Sequence, residues 1–170
     1  MNLNQNLTKK FNYGFFLGAI RNSFDYFFYD ENGLQNPGPG LQLDAEVFGE
    51  YKPIEPLRVN FNYRKSRLTR NDNRIRSFDS DIVSVKTTYQ FSRFVFARVR
   101  VDYRSDDKNF AGQALFGWNP SPGTAFYVGY NDSLNYNGRS PITGNEEIGV
   151  GRNSRTFFIR ASYLFRKSFK

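Results

Sequence analysis

Alternation with a period of two residues runs along almost the whole chain, and that pattern fits strands and little else. Leu41, Leu43, Ala45, Val47, Gly49 and Tyr51 interleave with Gln42, Asp44, Glu46, Phe48 and Glu50. Leu57, Val59, Phe61 and Tyr63 interleave with Arg58, Asn60, Asn62 and Arg64. Val83, Val85, Thr87, Tyr89 and Phe91 oppose Ser84, Lys86, Thr88 and Gln90, and Val95, Ala97, Val99, Val101 and Tyr103 oppose Phe96, Arg98, Arg100, Asp102 and Arg104. Two further segments carry Phe116, Trp118, Phe126, Val128 and Tyr130 on one side. The last sets Phe157, Ile159, Ala161, Tyr163 and Phe165 against Phe158, Arg160, Ser162, Leu164 and Arg166. From Leu41 this predicts seven strands. The stretch 11–29 adds one long strand, or two if Arg21–Ser23 turns. No helical period competes, so the fold class is all-β.

The apolar sets are built from rings rather than aliphatic side chains. There are 19 Phe and 11 Tyr, yet mean hydropathy is only −0.64, so a thick aliphatic core is not expected. No run approaches the ~18 apolar residues of a membrane helix. The chain has neither Cys nor His, which removes thiolate chemistry, disulfides, the commonest metal ligand and the commonest general base. The carboxylate pairs Asp79/Asp81, Asp106/Asp107 and Glu146/Glu147 fall in polar stretches read as solvated loops. Glycoside hydrolysis needs two such groups converging across a cleft. Asn71–Asn73 lacks the spacing of a calcium loop and reads as a turn. Gly149–Ser154 lacks the strand-to-helix setting of a phosphate loop. We therefore expect no catalytic residue, no cofactor and no metal. The net charge of +8 admits a nucleic-acid partner, but rings and charges sort onto opposite strand faces, which argues against base stacking beside phosphate contacts.

Connection lengths alternate. Short turns are expected at Lys52–Pro56, Ser92–Arg93 and Asn119–Gly123, and long loops at 30–40, 65–80 and 131–154, with a further one at 105–109. An up-and-down meander gathers the short turns at one end, as outer-membrane barrels do. The expectation is an antiparallel up-and-down transmembrane β-barrel of about eight strands, or the C-terminal part of a larger one. Strands occupy 11–166, after a polar segment 1–10 and before a tail 167–170. Pairing position numbers that sum to 108 would set Glu50 against Arg58 and Asp44 against Arg64. A sum of 242 would set Phe116 against Phe126 and Trp118 against Thr124. A bulge is expected near Phe94–Phe96 to restore parity.

In such a barrel Tyr51, Tyr89, Phe91, Phe116, Trp118 and Phe126 would ring the short-turn end, and Tyr63, Tyr103 and Tyr130 the long-loop end, as interface aromatics. Asp44, Glu46, Glu50, Arg58, Arg64, Lys86, Arg98, Arg100, Asp102 and Arg160 would form a lumen-facing charge ladder, joined by Arg104 and Arg166. It would either attract anions or close into mutual ion pairs, and the interleaved acids favour the ion pairs. The partner would be the lipid bilayer. The rival reading is a soluble β-rich module that binds glycans.

Three stretches, Thr87–Tyr103, Ala114–Gly138 and Arg155–Arg166, resemble the C-terminal end of a family of large bacterial outer-membrane proteins. In that family a carbohydrate-binding family 9-like domain precedes a β-barrel region of unknown function. The resemblance is most specific at Trp118–Thr124 and at Gly129–Asp132. It implies the outer membrane of a Gram-negative bacterium, and a glycan ligand held by the N-terminal domain rather than by any residue here. With no export signal and no such domain in view, the chain is expected to be the tail of such a protein. Tyr163 and Phe165 also resemble the C-terminal signal that barrel-assembly machinery recognises, although Arg166–Lys170 follow it.

Overall fold

The structure is a computed structural model describing residues 1–26, 29, 33–137, 143–146 and 148–164. Nine strands form one sheet in sequence order: β1 (Asn2–Thr8), β2 (Phe11–Asp25), β3 (Gly38–Ile54), β4 (Leu57–Arg70), β5 (Arg76–Ser92), β6 (Val95–Arg104), β7 (Asn109–Ser121), β8 (Thr124–Tyr136) and β9 (Val150–Tyr163). Every neighbouring pair is antiparallel. There is no helix among the described residues. The sheet is not closed into a barrel: β1 and β9 are its two edges. β2 to β9 are the strands that the alternation marks. β1 lies in the stretch 1–10 read as a polar segment, and 11–25 is one strand with a bulge at Arg21–Ser23 rather than a turn.

Four connections are two-residue turns at one end: Lys9–Lys10, Glu55–Pro56, Arg93–Phe94 and Pro122–Gly123. Gly123 takes φ 90°, which a side chain would resist. The other end carries 26–37, Asn71–Ile75, Ser105–Lys108 and 137–149. The 65–80 segment is thus no long loop. It is the paired ends of β4 and β5 around a tight turn, as the register Lys65↔Asp81 and Arg67↔Asp79 shows.

The registers differ from those expected by two residues, because strand pairing runs closer to each turn. Across β3–β4 Glu46 faces Arg64, Asp44 faces Ser66 and Glu50 faces Asn60. Across β7–β8 Trp118 faces Phe126 and Phe116 faces Val128. The bulge near the third turn lies on β5, between Gln90 and Ser92, and not on β6.

One row of directly opposed residues crosses β2 to β9 through Phe11, Tyr51, Val59, Thr87, Val99, Ala114, Tyr130 and Phe157. Phe11 is the first residue of β2, Val59 the third of β4, Val99 the fifth of β6 and Tyr130 the seventh of β8. The row climbs about one residue per strand. With a rise of ~3.3 Å and a spacing of ~4.8 Å, that stagger is a tilt of about 35°, at the lower edge of the range for closed barrels.

The pairings sort the side chains cleanly. One face holds the apolar sets, and the other the polar sets. Neither is covered. Among the described residues Leu68 is the buried hydrophobic side chain, at 2% exposure, while Leu43, Val99 and Ile159 stand 47%, 49% and 62% exposed. A sheet ordinarily buries one face against a second layer, and none is present among the described residues.

Candidate functional site

The apolar face is a band bounded by rings and charges. Near the two-residue turns lie Tyr51, Tyr89, Phe91, Phe116, Trp118 and Phe126. Tyr51 meets Phe11 edge-on with ring centres 6.2 Å apart, and Tyr89 meets Phe91 at 4.8 Å. Between the rings run Val, Ala and Leu side chains. Towards the loops lie Tyr63 and Tyr103, the latter against Phe110 across the strands at 4.5 Å. Tyr130 is not at the loop end: β8 continues to Tyr136, which leaves Tyr130 in mid-strand. The band from Val95 to Tyr103, or from Phe110 to Trp118, matches the ~9–11 residues a tilted strand needs to cross a bilayer.

Above this band the same face turns ionic. Lys65 Nζ lies 2.8 Å from Asp81 and 2.9 Å from Asp79, Arg67 donates to Asp79 at 2.7 Å, and the Tyr63 hydroxyl donates to Asp81 at 2.6 Å. Asp79 and Asp81, read from sequence as solvated loop carboxylates, are therefore cross-strand ion-pair partners. A second cluster joins Asp132 to Arg152 at 3.1 Å and to Arg155 at 3.5 Å. Of the other carboxylate pairs, Asp107 binds Arg104, and Glu147 lies outside the described residues. Asn71–Asn73 forms a turn, and no group of His, Cys, Asp and Glu able to hold a metal occurs among the described residues.

On the polar face the expected charge ladder is only partly paired. Glu50 binds Lys52 at 2.8 Å and reaches Arg58 diagonally at 3.6 Å, and Arg100 Nε meets Asp102 at 2.8 Å. The other acids turn to neutral donors. Asp44 accepts from Ser66 Oγ at 2.5 Å and from Gln42 at 3.0 Å, and Glu46 accepts from Asn62 at 2.5 Å. Arg64, Lys86, Arg98 and Arg160 have no carboxylate within ion-pair distance among the described residues. The expectation of mutual neutralisation fails for these four: Glu46, although directly opposite Arg64, accepts from Asn62, and Asp44 accepts from Ser66 and Gln42. Arg104 faces the turn at Ser105–Lys108. Phe165, Arg166 and the tail 167–170 lie outside the described residues.

Three phenylalanines that break the polar pattern have a structural reason. Phe48, Phe96 and Phe158 stand directly opposite Gly14, Gly117 and Gly129. Each ring covers its glycine so closely that a Cβ there would overlap ring carbons. The room that each ring occupies on the polar face is the space its opposite glycine leaves.

Sequence reasoning missed the ionic ladder of Lys65, Arg67, Asp79 and Asp81. The signal was present as two cations spaced by two, then two anions spaced by two, placed symmetrically about the Asn71–Ile75 turn. Compared with family models, curated proteins and solved structures, the chain finds no match in any of the three.

Proposed function

We propose that this chain is a section of an outer-membrane β-barrel wall, with the apolar face turned to lipid and the polar face lining an interior. Its role is to anchor, to present the loop end as a surface platform and to contribute to the wall of a passage. The observation that carries this reading is a single-layer sheet of nine strands whose apolar face is continuous, ring-bounded and uncovered. In water such a face costs about 25 cal/mol for each Å² left exposed, whereas in a bilayer that exposure is the stable arrangement. The strict alternation of two-residue turns with longer loops, and the ~35° stagger, agree with it.

The reading also agrees with the resemblance to outer-membrane proteins bearing a carbohydrate-binding family 9-like domain. Any glycan binding would belong to that domain. The chain is given no catalytic role, since Asp44, Glu46, Glu50, Asp79, Asp81 and Asp102 are each engaged by neighbouring donors.

Refolding from urea tests the proposal. The chain should fold only in detergent or vesicles, with a heat-modifiable shift in gel mobility and quenching of Trp118 by lipids brominated near the headgroup. A monodisperse, cooperatively melting protein in plain buffer would overturn it and favour the soluble glycan-binding module.

A further inference from the structure

Four strands meet on the polar face in a row that carries cations and amides but no acid. Lys86 on β5 stands directly opposite Arg100 on β6, Arg100 opposite Gln113 on β7, and Gln113 opposite Asn131 on β8. Arg98 lies one same-face step nearer the turn, opposite Thr88. Like charges directly opposite in an antiparallel pair destabilise it. Asp102 answers Arg100 alone, through Nε. Among the described residues no carboxylate comes within ion-pair distance of Lys86 or Arg98, and Arg98 instead lies over the Phe96 ring at 5.6 Å.

These side chains line an open groove of about 380 Å³, to which Ala114, Leu115 and Phe158 contribute the apolar part. The contrast with the apolar face is informative. There a groove of about 440 Å³ also has cations at its rim, Lys65 and Arg67, but both are already met by Asp79 and Asp81. On the polar face Arg100 is met by Asp102, whereas Lys86 and Arg98 have no carboxylate within ion-pair distance among the described residues.

We infer that this row is an anion site for inorganic phosphate or a phosphate monoester. The inference rests on the polar face being the inner wall of a barrel, where low-dielectric surroundings concentrate the field of the cations. A lysine supplies a point charge and an arginine a planar fork that can grip two oxygens of one phosphate. Gln113 and Asn131 bring amide N–H donors to the same groove for the remaining oxygens. An anion between Lys86 and Arg100 turns a repulsive pair into two attractive ones.

The test is thermal unfolding in phosphate against chloride at matched ionic strength, run in whichever medium holds the chain folded. A requirement for detergent then judges the barrel reading, and the response to phosphate judges this one. The wild-type midpoint should rise with phosphate concentration. Lys86→Gln and Arg98→Gln should each weaken the apparent affinity by about tenfold or more, the loss expected for one charge-assisted hydrogen bond. Lys86→Glu should act in the opposite sense without ligand, raising the phosphate-free midpoint by pairing with Arg100, and should abolish the phosphate response. Equal midpoints in phosphate and chloride would overturn the site, as would an undiminished response in both glutamine variants.

Discussion

The body of the sheet and its loop end rest on different foundations. Across the body both faces are open, and alternate residues such as Leu43 and Val99 stay about half exposed. At the loop end the chain folds over itself. Leu68 and Arg70 are each 2% exposed and Asp25 is 7%. Arg70 grips Asp72 with two nitrogens, at 2.6 and 2.9 Å, and donates to the Asn36 carbonyl at 2.5 Å. Ser77 donates to Asp25, and the buried Asn135 accepts from Asn109 at 2.8 Å and from Asn153 at 2.7 Å across three strands. The loop end supplies its own partners, whereas the body leaves both faces open.

Substitution in the body should therefore be judged by the medium, and at the loop end by the partners removed. The largest effect is expected from Val99→Arg, at mid-band on the apolar face. It should cost about 2–4 kcal/mol of folding free energy in vesicles, read from urea titration, while Thr156→Arg on the polar face should cost far less. Equal costs would dissolve the distinction between the faces. Next comes Gly129→Ala, which must displace the Phe158 ring and should cost about 1–3 kcal/mol. Gly112→Ala, with nothing within 4 Å of its new Cβ, serves as the near-neutral control.

Arg70→Gln should act locally. Amide exchange at Asn71, whose N–H donates to the Pro39 carbonyl at 3.1 Å, should quicken while the global midpoint holds. A fall in the global midpoint would show that the two regions unfold together. The smallest effect is a pH dependence. Pairing with Arg70 holds the Asp72 carboxyl at about 2, below its ordinary value near ~3.9. A depressed pKa stabilises the fold above the unfolded value and loses that contribution as pH falls from about 4 towards 2. Exchange at the Asn71–Ile75 turn should quicken over that window, and Asp72→Asn should remove the dependence.

Most of the body was legible in the sequence because one physical rule governs it: alternation assigns each residue a face without regard to its partner. The loop end was not. Alternation was followed through apolar residues, and it faded at Lys65 and again before Asp81, where the ladder continues in charged side chains. Composition therefore points to a loop where the strand ends in fact pair. Register was missed by two at both turns for a related reason. Pairing extends to Ile54↔Leu57 and Ser121↔Thr124, past polar and proline residues that composition places in turns. Charge pairing does not follow from register alone: Glu46 stands opposite Arg64 yet binds Asn62, and Glu50 stands opposite Asn60 yet reaches Arg58. The rings of Phe48, Phe96 and Phe158 looked out of place because their glycine partners sit on other strands, a relation that no single-strand pattern contains.

The edge formed by β9 has a consequence of its own. Fourteen residues long, it is hydrogen-bonded to β8 on one side and last in the sheet order. From Thr156 to Tyr163 it carries no proline, and Arg160 is its one charge. Natural sheets guard such margins with charge, proline or bulges. A margin this bare recruits any strand it meets, including that of an identical chain. A strand laid along β9 would find a full row of backbone donors and acceptors already aligned to receive it.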